Sequence, residues 1–313
     1  MSYHILHISE YGCKLSKERG LLVCKKDGAV LGKIAIEDLR AVVIVAGGVS
    51  ISGEVFSSIL ANDAIILHCK NYKPVGISVP NCRTYDARVV LNQSAGNKNL
   101  NAAIWRRLLC AKIENCAACL GGMDVKDSRL HEMAQGCRRG LNESLCAREY
   151  WKNYFPRLGE GGGNREPGSG ASPINALLDY GYGIMGGIIH RSLIVSGLNS
   201  LLGVNHKTYY KNTPLVYDAI EPFRAFVDYA LYKYACKFSE MGVRGWSIFF
   251  GKYLRDKRVG VRNGSVKLMD GKSPLEIQLP GPLNALKKPL LNVVKGTVIE
   301  KVLRDHDVLK DYM

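Results

Sequence analysis

The chain of 313 residues is 47 % hydrophobic and 23 % charged, enough to bury a substantial core and, at this length, more than one. Its 43 Lys and Arg against 28 Asp and Glu give a formal charge of +15, which gathers polyanions at the surface and makes nucleic acid the leading partner class, with a plain solvated basic face as the alternative. The opening "MSYHILHISEYG" lacks the layout of a secretory signal, the best apolar run is cut by His190 and Arg191, and ten cysteines in that setting read as reduced thiols. A secreted disulfide framework and a transmembrane helix are therefore excluded, and the chain is expected in the cytoplasm without membrane contact.

Residues 1–80 read as a β-rich N-terminal domain. "ILHI", "GLLVC", "AVVIVAG" and "AIILHC" are short, aliphatic and β-branched, and Lys26-Asp27-Gly28 is a hairpin signal. Between the last two, "SGEVFSSILAND" has helical spacing at Val55, Ile59 and Leu60, with Ser52 placed as N-cap. "NYKPVGISVPNCRTYDAR" then suits a strand running into a linker, set at 81–93.

From residue 94 the period changes to that of a helix. "NLNAAIWRRLLCAKIENCAACL", "ESLCAREYWKNYF", "SPINALLDYGYGIMGGIIHRSLIVSG" and "EPFRAFVDYALYKYACKFSEM" all place apolar residues on one face, so 94–313 reads as a mainly α-helical domain and the fold class as α+β. The CxxC inside "CAKIENCAAC" has no second pair, so Cys110, Cys116 and Cys119 are expected as buried helix cysteines rather than zinc ligands. "RLGEGGGNREPGSGAS", 157–172, is expected to be a mobile Gly-rich loop, with Ser172 capping a helix that opens at Pro173. Gly181, Gly183, Gly186 and Gly187 each weaken that helix, which places it centrally, where close backbone packing offsets the cost. The C-terminal "LKKPLLNVVKGTVIEKVLRDHDVLKDYM" is basic and partly amphipathic, consistent with DNA or partner contact.

Within "YDAIEPFR" two acids stand three residues apart in a basic chain. On a helix Asp218 and Glu221 would point the same way and repel, and Pro222 has no N–H for the carbonyl of Asp218, so the helix must kink or restart there with Glu221 as cap. Capping accounts for one acid only. Twelve residues upstream of Asp218, "LLGVNHKT" puts His206 after Gly203 in a loop where an imidazole could turn toward the acids or simply pack. Glu143 heads a stripe with Ala147, Tyr150 and Tyr154, an acid on an inward face that needs a cation, with a nearby Arg as the simplest partner.

"NESLCAREYW", "REPGSGASPINALLDYGYGI", "SGLNSLLGVNHKT" and "LVYDAIEPFRAFVD", in that order, resemble the CRISPR-associated integrase, the larger subunit of the spacer-acquisition complex. "IEDLRAVVIVAGGVSISGEVFSSILANDAIILHC" is similar to that family's N-terminal domain, so the resemblance spans essentially the whole chain. It implies Glu143, His206 and Glu221 as ligands of Mg²⁺ or Mn²⁺ with Asp218 beside them, and Ser144 departs from a Gly in the family pattern. It also implies transesterification that joins the 3′ ends of captured DNA to a CRISPR repeat, and a homodimer, whose interface is expected on the β-rich domain because that domain is too small and aliphatic to leave exposed. Two such dimers would be bridged by a small ferredoxin-fold subunit. Candidates for duplex contact are Arg138, Arg139, Arg165, Lys207, Arg224, Arg244, Arg255, Lys257 and Arg258. A free-standing metal-dependent nuclease or branched-DNA resolvase is the enzyme alternative, and a non-catalytic DNA-binding subunit the other.

Overall fold

The computed structural model describes residues 4–81, 87–95, 98–125, 129–130, 132–133, 143–160, 163–168, 172–207, 212–237, 245–246 and 249–250, together with the backbone of three later strands. The fold is α+β, as expected.

The N-terminal part holds two four-stranded sheets. One runs β1 (His4–Ile8), β5 (Leu39–Ile44), β7 (Ile65–Lys70) and β8 (Lys73–Ser78), parallel except for the last pair. The other runs β4 (Ala29–Ala35), β3 (Leu21–Lys26), β2 (Lys14–Glu18) and β6 (Ser50–Ile51). Asp27 (φ 50) and Gly28 (φ 81) turn β3 into β4 with two left-handed residues, the tight geometry that matches strand twist. Helix α1 (Gly53–Ala61) starts as expected, with the Ser52 hydroxyl accepting from the Val55 amide.

The first sheet works on both faces. Side chains alternate along a strand, so Val42 and Ile66 enter a core shared with Leu15, Leu22, Val55 and Ile59, while Ala41, Val43, Ile65 and Leu67 enter the core of the helical part. β5 and β7 are thus the joint between the two parts, and their continuous aliphatic runs follow from having no wet face.

The helical part comprises α2 (Ala87–Ala95), α3 (Lys98–Gly122), α4 (Glu143–Tyr154), α5 (Pro173–Val195), α6 (Pro214–Ile220) and α7 (Arg224–Ala235). α5 is central, and its glycines explain how. A Cβ on Gly187 would lie 2.6 Å from the δ carbons of Leu67, and one on Gly183 would lie 2.4 Å from Cγ of Pro74, so the helix rides directly on β7 and β8. Among the described residues no helix is long and apolar enough to cross a membrane.

Four expectations change. Ser172 precedes α5 but its hydroxyl donates to Glu160 instead of capping, because the acid arrives from the preceding turn. Within the Gly-rich segment, residues 163–168 are hydrogen-bonded to α5: Asn175 accepts from Arg165 and from the Glu166 amide, and Asp179 accepts from the Gly168 amide. Seven described cysteines are free, Cys116 and Cys119 buried in α3 among them, but Cys110 is in a disulfide. Beyond the helices, β9 (Arg258–Arg262), β10 (Ser265–Met269) and β11 (Pro274–Gln278) pair into an antiparallel sheet, which the period-two pattern of "RVGVR", "SVKLM" and "PLEIQ" carries and the helical reading passed over. The C-terminal basic stretch lies outside the described residues.

The glycine contacts set a test. Gly183→Ala should cost about 1–3 kcal/mol in urea unfolding, since the Pro74 ring is stiff, despite the gain in helix propensity. Gly186→Ala should be neutral or stabilising, because its Cβ would meet Val216 and Ile220 at ordinary distances of 3.7 and 3.8 Å.

Candidate active site

Pro222 ends α6 at Ile220, and a short 3-10 turn, Glu221–Phe223, carries the chain into α7. The Pro222 carbonyl accepts from the Asn115 amide of α3 at 2.7 Å, which ties the turn to that helix. Glu221 thus closes α6 and does not cap α7, whose N-cap position is Phe223. The two acids take separate partners.

Asp218 is fully buried and gathers the loop before it. Its carboxylate accepts from the amides of Val204 (2.6 Å), Asn205 (3.1 Å) and His206 (3.1 Å), and from Nδ1 of His206 at 2.8 Å. Only glycine fits at 203, where a Cβ would stand 2.4 Å from the His206 carbonyl oxygen. Because the carboxylate accepts, the proton is assigned to Nδ1 and Nε2 is the nitrogen available to a ligand. Trp105 and Tyr217 flank the ring at 5.8 and 6.1 Å.

Glu221, 7 % exposed, accepts from Arg224 at 2.8 Å through Oε1 and from Lys112 of α3 at 2.7 Å through Oε2. Glu143, at the start of α4, takes the same ammonium at 2.7 Å, so the cation its inward stripe demanded is Lys112 and not an arginine. Burial pushes the Glu221 carboxyl up, but Arg224 and Lys112 outweigh it and hold its pKa below the ordinary value. Burial likewise depresses the Lys112 ammonium, and Glu221 and Glu143 outweigh it and raise it.

Behind these groups lies a polar network. Asp228, fully buried on α7, accepts from the hydroxyls of Tyr150 (2.8 Å) and Tyr182, and its carbonyl accepts from Tyr154 at 2.9 Å. Burial lifts its pKa to about 7 against the lowering pull of those hydroxyls, Arg224 and Arg165. Both arginines also lie over the Tyr182 ring, at 4.7 and 5.3 Å.

Glu143, His206, Glu221, Lys112, Arg165, Arg224 and Asp228 all line one cavity of about 730 Å³. Among the described residues no three His, Cys, Asp or Glu side chains already converge as a metal-ligand set. The donors nonetheless suit a divalent cation: two carboxylates share a positive charge, that of Lys112, and a positioned imidazole lines the same cavity. Of the basic candidates, Arg165 and Arg224 are paired to Asp179 and Glu221, and Lys207 is exposed. Arg138, Arg139, Arg244, Arg255 and Lys257 lie outside the described residues, as does the side chain of Arg258.

The family model for CRISPR associated protein Cas1 matches residues 6–237. This chain belongs to the Cas1 family. Curated relatives include the CRISPR-associated endonuclease Cas1 1 of Saccharolobus solfataricus, 26 % identical over 246 residues, covering 73 % of this chain and 70 % of that one. The CRISPR-associated endonuclease Cas1 of Neisseria meningitidis is 25 % identical over 224 residues, covering 69 % and 71 %. The fold is similar to that of a casposase bound to integration product (TM-score 0.68, 15 % identity, all of both chains) and to a Cas1 protein from Thermotoga maritima (TM-score 0.64, 16 % identity, 81 % of this chain and 91 % of that one). Within this Cas1 fold Lys112, Asn115 and Asp228 were missed by sequence reasoning. A lysine in line with Leu109, Cys116 and Cys119 on an apolar stripe, and an acid amid "AFVDYAL", were the available signals.

Two outcomes check this site. Asp218→Ala orphans three backbone amides and should cost about 2–4 kcal/mol in urea unfolding, against little for an exposed carboxylate. For Asp228, a folded pKa near 7 means that the folded chain keeps a proton the unfolded chain releases near pH ~4, so stability should fall as pH rises between those values and then level. Asp228→Asn should flatten that part of the profile in denaturation across pH.

Proposed function

We propose that this Cas1-family chain is the integrase of CRISPR adaptation, joining the 3′-hydroxyl ends of captured DNA fragments to a CRISPR repeat by transesterification. The observation that carries the reading is the placement of Glu143, Glu221 and His206 around one cavity, with Asp218 fixing the imidazole so that Nε2 is the available donor. Bound by those three residues, Mg²⁺ or Mn²⁺ would polarise the scissile phosphate and stabilise charge in an in-line displacement.

The chain's own residues supply position. Asp218 sets the ring, Asn115 sets the turn that carries Glu221, and Arg224 keeps that carboxylate ionised. In the joining step the attacking 3′-hydroxyl gives up its proton and its oxygen forms a new P–O bond as the target strand's P–O bond breaks, and the leaving 3′ oxygen takes up a proton. The number of phosphodiesters is conserved. The positive balance of the chain suits two duplexes held together better than a single-substrate cleft.

Assembly is part of the proposal: a homodimer through the β-rich part, two dimers bridged by a small ferredoxin-fold subunit. A solved Cas6-RT-Cas1–Cas2 complex contains the same fold (TM-score 0.67, 95 % of this chain). Edge strand β4 exposes Val30 (48 %) and Leu31 (53 %), an apolar pair suited to a second copy. Leu31→Arg should shift the light-scattering mass from dimer to monomer, and an unchanged dimer would place the interface elsewhere.

The chemistry is tested with a labelled short duplex and a repeat-containing plasmid, the small subunit present. Joining is expected with a 3′-hydroxyl end and not with a dideoxy end, and Glu143→Gln should abolish joining while leaving folding and most DNA affinity intact. Plasmid cut equally well with blocked ends and never joined would make water the nucleophile and this chain a nuclease.

A further inference from the structure

Glu143 and Glu221 sit on different elements, and one ammonium holds both. Lys112 Nζ lies 2.7 Å from Oε1 of Glu143 and 2.7 Å from Oε2 of Glu221, with its side chain 17 % exposed at the wall of the cavity. Oε1 of Glu221 is taken by Arg224, so three of the four carboxylate oxygens are committed and the two cations balance the two acids. A divalent ion that uses both carboxylates would compete with Lys112 and Arg224 for the Glu221 oxygens.

The two cations are not equally fixed. Arg224 is three residues along the same turn, its Nε donates to Glu221 Oε1 at 2.8 Å, and its guanidinium lies over the Tyr182 ring at 4.7 Å. Lys112 presents a compact, strongly hydrated charge on a flexible stem beside an open cavity, and its release restores rotamer freedom and hydration. Lys112 is the one that yields.

We propose that Lys112 is a displaceable counter-ion: it holds Glu143 and Glu221 in register, competes with the divalent cation for them, and swings into the cavity when that cation binds. This rests on the metal reading of the same site. It makes Lys112 a positioning residue that sets metal affinity, and it accounts for two buried-edge acids lying together in a fold that must not repel itself apart before loading.

The test uses the full chain and Mn²⁺ alone, with no DNA. In the wild type, labelling of Lys112 by an amine-reactive reagent, read by mass spectrometry, should rise several-fold on saturation with Mn²⁺, while exposed Lys98 stays constant. Lys112→Met should bind Mn²⁺ at least about tenfold more tightly by calorimetry, melt at a lower temperature without the ion, and gain more from it on melting. Should the variant fail to fold, the labelling of the wild type still decides. If the wild type binds Mn²⁺ and Glu143→Gln abolishes binding, yet Lys112 stays shielded, or binding by Lys112→Met is no tighter, the counter-ion proposal falls and the metal reading stands. If the wild type takes up no Mn²⁺ at all, both fall.

Discussion

Everything at the site follows from the missing N–H of Pro222. Without it α6 gives way to a 3-10 turn before α7, and the two acids on either side of the break take different partners. Two acids that would repel on one continuous helix thereby acquire separate cations and donors. Asp218 turns back to the 203–206 loop and fixes His206, while Glu221 turns to α3 and meets Lys112. The Asn115 amide, donated to the Pro222 carbonyl, keeps the broken backbone from leaving a buried acceptor unpaired.

The rest of the fold keeps those partners in place. α3 supplies Lys112 and Asn115, α4 packs on α3 and supplies Glu143, and α5 lies on β7 and β8 at glycine distance and packs against α6 and α7. The first sheet, buried on both faces, makes the helical part continuous with the N-terminal core rather than hinged to it. The tyrosines of α4 and α5 close over Asp228, so the cavity has a floor that is polar inside and packed outside.

Periodicity exposed the elements well, because each is amphipathic or doubly buried: the 98–122, 143–154 and 173–195 helices stand where apolar spacing put them, and Asp27-Gly28 turns where its chemistry demands. Glu143, His206, Asp218 and Glu221 were legible as a set only through four ordered motifs resembling a known family. What spacing could not yield is pairing across the chain. Lys112 lies 31 residues from Glu143, and nothing local says which cation crosses that gap. The same limit hid Asp228, whose partners come from α4 and α5, and strands β9–β11, whose alternation is short enough to pass for loop.

The central claim is that Glu143, Glu221 and His206 together hold one divalent cation. Crystals grown with Mn²⁺ and measured at the manganese absorption edge test it directly. The account predicts one anomalous peak per chain, within ligand distance of both carboxylates and of His206 Nε2, with the His206 Nδ1 bond to Asp218 retained. A peak that lies elsewhere, or that is out of ligand distance of either carboxylate or of His206 Nε2, would contradict it.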